Sequence, residues 1–330
     1  VLISGLSIGD GNLTLNSTGD IRQTAGGIIN AKSLNAQSAS INLSEANTVD
    51  IFSPNSSGDI VFYNTKTLAL GAINTAGQLQ ISTDGNLGVN DVIVAKNIIL
   101  KANSGTISSL TSGTLNTDNL TATAGKGIKL DNENTINQAS LNSAEGDISI
   151  NNAKALTLGK TSSNANFRIN TKGSLTGLGI INSKTLDVKA SGDITLEQEN
   201  ILDQVRLISD NGNISLVNNK AMVLEGSSNN GNMKINNTGN INIKGSVSGK
   251  QLQFKISNGQ LTEASDAQLA ATKLVADVEL GIALQNNNAL DSAELTSKGD
   301  INLNNNKSIE LGSVISNGNI NVNLIMSLAQ

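Results

Sequence analysis

GDIVFYNTKTLALG, residues 58–71, decides the reading of the fold because the chain writes it again three times. GDISINNAKALTLG fills residues 146–159, GNISLVNNKAMVLEG 212–226 and GDINLNNNKSIELG 299–312. Within each copy apolar and polar residues alternate, as at Ile60 and Phe62, then Leu68 and Leu70. Alternation by two over short runs is the pattern of half-buried strands. Leu79 with Ile81, Ile98 with Leu100, Ile194 with Leu196, Ile241 with Ile243 and Ile320 with Val322 repeat it. Gly followed by Asp or Asn precedes many of these runs, as at Gly192-Asp193, Gly239-Asn240 and Gly318-Asn319. Gly tolerates positive φ and Asp or Asn bonds the adjacent backbone, so the pair is read as a bend into the next strand.

The copies start 88, 66 and 87 residues apart, and related lead-ins begin at Asn47, Asn134, Asn200 and Asn288. These steps are near four, three and four times about 22 residues, which predicts about 15 stacked coils with one whole coil missing from the middle interval. Whole-unit steps are what a solenoid requires, because removing part of a coil breaks strand register in every coil beyond it. The expected fold is therefore all-β: a right-handed parallel β-helix of about 22 residues per coil. One segment, residues 1–330, is expected to be a single repeat body excised from a longer chain, since the pattern is already running at its start and stops soon after another copy. The Ala-rich stretch LTEASDAQLAATKLVADVEL, residues 261–280, is read as strand and turn within that pattern.

Composition agrees. Of 330 residues, 49 are Asn, 32 Gly and 62 Ser or Thr, while aromatics are 2% and Pro occurs once. Ile, Leu, Val and Ala suit narrow stacked layers better than a bulky globular core. A lone coil cannot stand: about six inward side chains at roughly 2 kcal/mol each do not offset an ordering cost of about 1.5 kcal/mol per residue. Aligned Asn, such as Asn151 and Asn152, Asn218 and Asn219, and Asn304 to Asn306, are candidates for amide ladders along a corner.

The same numbers exclude chemistries. Cys and His are absent, which removes thiolate nucleophiles, imidazole bases and the usual zinc ligands. Net charge is −5 and Lys is scattered singly, so no basic stripe exists for nucleic acid. No run of apolar residues is long enough for a membrane-spanning helix.

Gly-Asp/Asn-Ile-x-Leu phrases followed by NNK, together with Ser183-Lys184-Thr185-Leu186-Asp187-Val188-Lys189-Ala190-Ser191-Gly192-Asp193-Ile194 and a looser form at Ala95–Ala102, resemble the haemagglutinin-type repeats of filamentous haemagglutinin-like exoproteins. The resemblance implies a parallel β-helix exported by two-partner secretion through an outer-membrane barrel and displayed at the bacterial surface. It implies an adhesin shaft binding a host-cell receptor or glycan, or the stalk of a contact-dependent growth-inhibition protein reaching a neighbouring bacterium. The amino-terminal secretion phrase of that family is not found; Ser53-Pro54-Asn55-Ser56 is the near miss.

An enzymatic reading is weaker. Asp59, Asp147, Asp193 and Asp300 sit where Asn213, Asn240 and Asn319 also sit, and a position that accepts either residue suits a turn better than an acid or base. Arg22, Arg168 and Arg206 occur in unrelated contexts. The lone Gly pair, Gly26-Gly27, lacks the third Gly and the Asp of calcium-binding nonapeptides. Phe62 is in phase with Ile60 and is read as core, which sends Tyr63 outward. No catalytic, cofactor-binding or metal-ligating residue is therefore expected, and open strand edges at the ends predict end-to-end self-association of the fragment.

Overall fold

The computed structural model describes residues 1–324. Residues 325–330, which end the terminal phrase NVNLIMSLAQ, lie outside the described residues. The described chain is strand and turn without helix, so none of it is a helix able to cross a membrane. Parallel strands stack as a β-solenoid of about 17 coils, roughly 19 residues each. Two compact units divide it, Val1–Arg168 and Ile169–Gln330.

In the first unit, a representative coil consists of strands Ile60–Asn64, Leu68–Leu70 and Ile73–Asn74, after which Gln78–Thr83 begins the next. Ile60 pairs with Ile41 on one side and Leu79 on the other, and Leu79 pairs with Ile98. Seven residues of this coil are buried: Ile60, Phe62, Asn64, Leu68, Leu70, Ile73 and Thr75. The core is thus a ring of apolar side chains, mostly aliphatic, with a polar residue at two of its corners. Phe52 and Phe62, fully buried, stack with ring centroids 4.1 Å apart. The second unit is built alike: Ile194, Ile214, Met233, Leu252 and Leu274 form one inward column, and Met222, Ile241, Leu261, Ile282 and Ile301 another.

The coil is shorter than the sequence spacing suggested, for a definite reason. Steps of 22 residues occur from Ile98 to Leu120 and from Leu252 to Leu274, where a four-residue turn is added. Each such turn is closed by its own backbone bond, Gly113 N–H to Leu110 O at 2.7 Å and Ala267 N–H to Ala264 O at 3.0 Å. The repeated phrase is consequently not a whole number of coils. From Ile60 the column runs through Leu79, Ile98 and Leu120 to Ala139, and Ile148 lies nine residues farther on. Ile148 belongs to a different column, that of Leu68, Leu87, Ile107 and Ile128. In the second unit Ile214 and Ile301 are displaced in the same manner. Each copy therefore restarts one face along.

Gly at the head of the phrase serves close approach, not unusual φ. Gly58, Gly146, Gly212 and Gly299 all have ordinary φ, and so do Gly192 and Gly318, where a bend through positive φ was expected. A Cβ on Gly146 would come within 1.8 Å of the Lys126 carbonyl oxygen and one on Gly299 within 2.0 Å of that of Leu280. The bend expected of Gly does hold at Gly239, where φ is +95°. Residues 261–280 form the expected strand, turn and strand, Gln260–Glu263 followed by Gln268–Val278.

Because Ile60, Leu79 and Ile98 are successive members of one column, excising residues 79–97 lays Ile98 on Ile60 and preserves register. Cooperative denaturant unfolding with native-like circular dichroism is expected for that deletion. Excision of residues 79–87 alone, about half a coil, is expected to abolish it.

Candidate functional site

The four lead-in Asn residues make one constellation four times. Asn47, Asn134, Asn200 and Asn288 are essentially inaccessible to solvent, and each closes a bulge in which the strand register slips. Asn134 Nδ2 donates to the carbonyls of Leu130 (3.0 Å), Asn132 (2.7 Å) and Asn151 (3.0 Å), while its Oδ1 accepts the Leu115 amide at 2.9 Å. Asn200 does the same with Leu196, Gln198, Val217 and Ile181. One amide thus ties three consecutive coils.

A second buried Asn sits opposite each clamp: Asn64, Asn152, Asn218 and Asn305. Each spans one peptide face of the coil below, as Asn152 does by accepting the Ile136 N–H at 2.9 Å and donating to the Ile136 carbonyl at 3.0 Å. The Lys of the phrase then crosses outside the wall to a residue of the preceding coil. Lys66 meets Asp50 at 2.6 Å, Lys307 meets Asp291 at 2.5 Å, and Lys220 meets Asp203.

Asn152, Asn218 and Asn305 were among the candidates for amide ladders. They are indeed stacked on other Asn, but they bond chiefly to backbone; Asn218 to Asn237 at 3.0 Å is a buried amide-to-amide rung. Exposed rungs join Asn119 to Asn97, Asn321 to Asn302 and Asn323 to Asn304. Sequence reading marked the lead-in Asn without its partner; Leu four residues ahead, at Leu43, Leu130, Leu196 and Leu284, is the signal that identifies the clamp.

The phrase Asp or Asn likewise faces the next coil. Asp59 Oδ1 accepts the Gln78 amide at 2.8 Å, Asp147 that of Asn166 at 3.1 Å, Asp193 that of Asn213 at 2.7 Å and Asp300 that of Asn319 at 2.7 Å. Asn213 and Asn240 accept through the same atom, from Asn232 and Gln260 at 2.9 Å each. The bond uses an oxygen both residues possess, which is why the two exchange. Corner hydroxyls were not singled out in the sequence, yet they recur: Ser56, Thr75, Ser209 and Ser228 donate to a carbonyl of the preceding coil.

Of the three arginines, Arg22 pairs with Asp20 at 2.8 Å, Arg206 bridges Asp187 and Glu225 at 3.1 and 3.2 Å, and Arg168 is exposed. Tyr63 points outward as its phase requires and donates its hydroxyl to Asp84 at 2.7 Å. That bond, with partial desolvation, raises the phenol above its ordinary range; hydrogen bonds from Asn103 and Tyr63 lower the Asp84 carboxyl. Among the described residues no three acidic, His or Cys side chains are grouped to hold a metal ion.

What the surface does offer is shallow. In the first unit a groove of 790 Å³ follows Gln37, Asn55, Asn74 and Val94, which are stacked in register, and none of its lining residues is charged. In the second, a groove of 610 Å³ carries Lys255, Asp277, Glu279 and Lys298. Stacked coils flanked by such ribbon-like surfaces fit the comparison with known families, where Toastrack DUF4097 matches residues 74–238, half of the chain. The chain belongs to the Toastrack DUF4097 family. Within this Toastrack chain, residues 2–51 also match a family described as repeats of unknown function, DUF5649. No curated protein and no solved structure matches it.

Asn134→Ala leaves four backbone groups unpaired and is expected to lower stability by on the order of 4 kcal/mol, read by chemical denaturation. Asp59→Asn keeps the acceptor and should stay within about 0.5 kcal/mol, whereas Asp59→Ala should cost about 1 kcal/mol. Tyr63 is the chain's one Tyr and Trp is absent, so near-ultraviolet absorbance titrates it alone. Its midpoint is expected above the usual phenol range and should fall in Asp84→Asn.

Proposed function

We propose that this chain is the β-helical shaft of a secreted bacterial surface adhesin, projecting or presenting binding regions for host-cell attachment. The observation that supports it is where polar side chains are used. The recurrent Asn, Asp and hydroxyl groups bond coil to coil, which builds the stack and leaves an uncharged groove along Gln37, Asn55, Asn74 and Val94 on the outside. Resemblance to filamentous haemagglutinin-like repeats at Ser183–Ile194 supports export by a two-partner route to the cell surface. A chain without Cys suits threading unfolded through a pore. The reading assigns no catalysis, cofactor, metal or nucleic acid.

Saturable binding of the labelled, monodisperse fragment to host epithelial cells, absent from a heat-unfolded control, is the expected result. Saturation on bacterial cells instead would support a growth-inhibition stalk. Binding to neither would leave this segment a passive spacer that projects a recognition site without forming one, whereas cleavage of an acidic polysaccharide by the fragment would overturn the adhesive reading.

A further inference from the structure

Two buried side-chain atoms among the described residues have no hydrogen-bond partner, Ser109 Oγ and Glu263 Oε1. They hold the same place in the repeat. Each is the second residue after an inward Ile or Leu, Ile107 or Leu261, and each precedes the four-residue turn that lies against an Asn clamp. The corresponding residue in the first clamp is Gln23, whose turn is closed by Gly27 N–H to Thr24 O at 2.9 Å.

Gln23 satisfies that place from both ends of its amide. Its Nε2 donates to Asn47 Oδ1 and to the Gly27 carbonyl, both at 2.6 Å, while its Oε1 accepts from the Glu45 amide at 3.1 Å and Asn47 Nδ2 at 3.4 Å. Glu263 reproduces the accepting half: Oε2 takes the Asn286 amide at 3.0 Å and Asn288 Nδ2 at 3.3 Å. Oε1 stands where Gln carries a donor. An ionised carboxylate has none, whereas a protonated one has an O–H.

We propose that Glu263 is held as a neutral carboxylic acid in the folded protein, a proton site that secures the Asn288 clamp and loosens it when the proton leaves. No cation stands by to favour the ionised form. The strand Gln260–Glu263 lies between Ile241–Ser257 and Gly281–Ser297. From the first, Lys244 follows the paired Ile243 but is exposed; from the second, Gln285, Asn286 and Asn288 are neutral. Asp266 in the turn is exposed, and no ion pair among the described residues joins any of these to Glu263. Desolvation dominates and pushes the carboxyl up, with the bonds from Asn286, Asn288 and Gln285 opposing it only in part.

The sign follows from linkage. A carboxyl whose folded value is raised gives stability that is complete below the unfolded Glu range of about 4.3 and is lost as pH rises through the folded value. Between those limits, opening of the clamp rises by up to about tenfold per pH unit.

The test uses the whole chain and its Glu263→Gln and Gln23→Glu variants. Carboxyl carbon NMR should show Glu263 titrating above the ordinary Glu range. Hydrogen exchange at the Leu269 and Asn286 amides, corrected for intrinsic rate, should accelerate with pH in the native sequence and stay flat in Glu263→Gln. Gln23→Glu should transfer the same acceleration to Ile29 and Glu45, at the first clamp. A Glu263 carboxyl titrating at or below the ordinary range, or Glu263→Gln with the native exchange profile, would overturn the proposal.

Discussion

Where a strand of this solenoid bulges at a corner, backbone groups leave the ladder and must be paired by a side chain, and the Asn clamp answers that constraint. Along the flat faces the parallel ladder pairs N–H and C=O automatically. Where a strand bulges, as between Leu130 and Glu133, carbonyls turn away from the ladder into the interior. A buried carbonyl left alone costs about as much as a lost hydrogen bond. Asn is the shortest side chain carrying two donors and an acceptor, and at Asn134 all three are used against backbone. Asp in that place would set an anion against three carbonyls; Leu would fill the volume and pair nothing.

The clamp also explains why the phrase is repeated and why its period ignores the coil. Each clamp needs a bulge on one coil and an Asn on the next, spaced as Asn47 and Asn64 are. A slip by one coil would lay Asn47 against Thr83, a residue that lacks an amide. Between clamps, Ser and Thr hydroxyls suffice at unbulged corners, since a single donor meets a single carbonyl. Successive copies begin on neighbouring faces within each unit, so the reinforced corner is not the same one each time.

Alternation and Gly-Asp punctuation made the strand-and-turn solenoid legible, because period two is a property of a single strand and survives in any register. Coil length was not legible in the same way. The distance between phrase copies measures the spacing of clamps, and only pairing across coils, Ile60 with Leu79, reveals the 19-residue step. The role of Gly192 and Gly318 was misassigned to φ for a related reason: close contact with the preceding coil, Ser174 for Gly192 and Asp300 for Gly318, is invisible along the chain. Tyr63 and Phe62 were placed correctly, since facing in or out follows from phase alone. The Asn clamps were half visible, as a recurring residue without its partners.

Function is harder to read from such a chain because folding uses the residues that ordinarily announce a site. Asp193 and Asn213 differ in charge but perform one bond, so acidity at that position carries no chemical instruction. Exceptions to the rule are therefore more informative than the rule. Where the clamp's neighbour is Gln23 the amide is fully used; where it is Ser109 or Glu263 one oxygen is stranded. A fold that pairs its interior so thoroughly turns a single unpaired atom into a question about protonation, and Gln23, solving the same geometry at another coil, supplies the neutral reference against which that question can be asked.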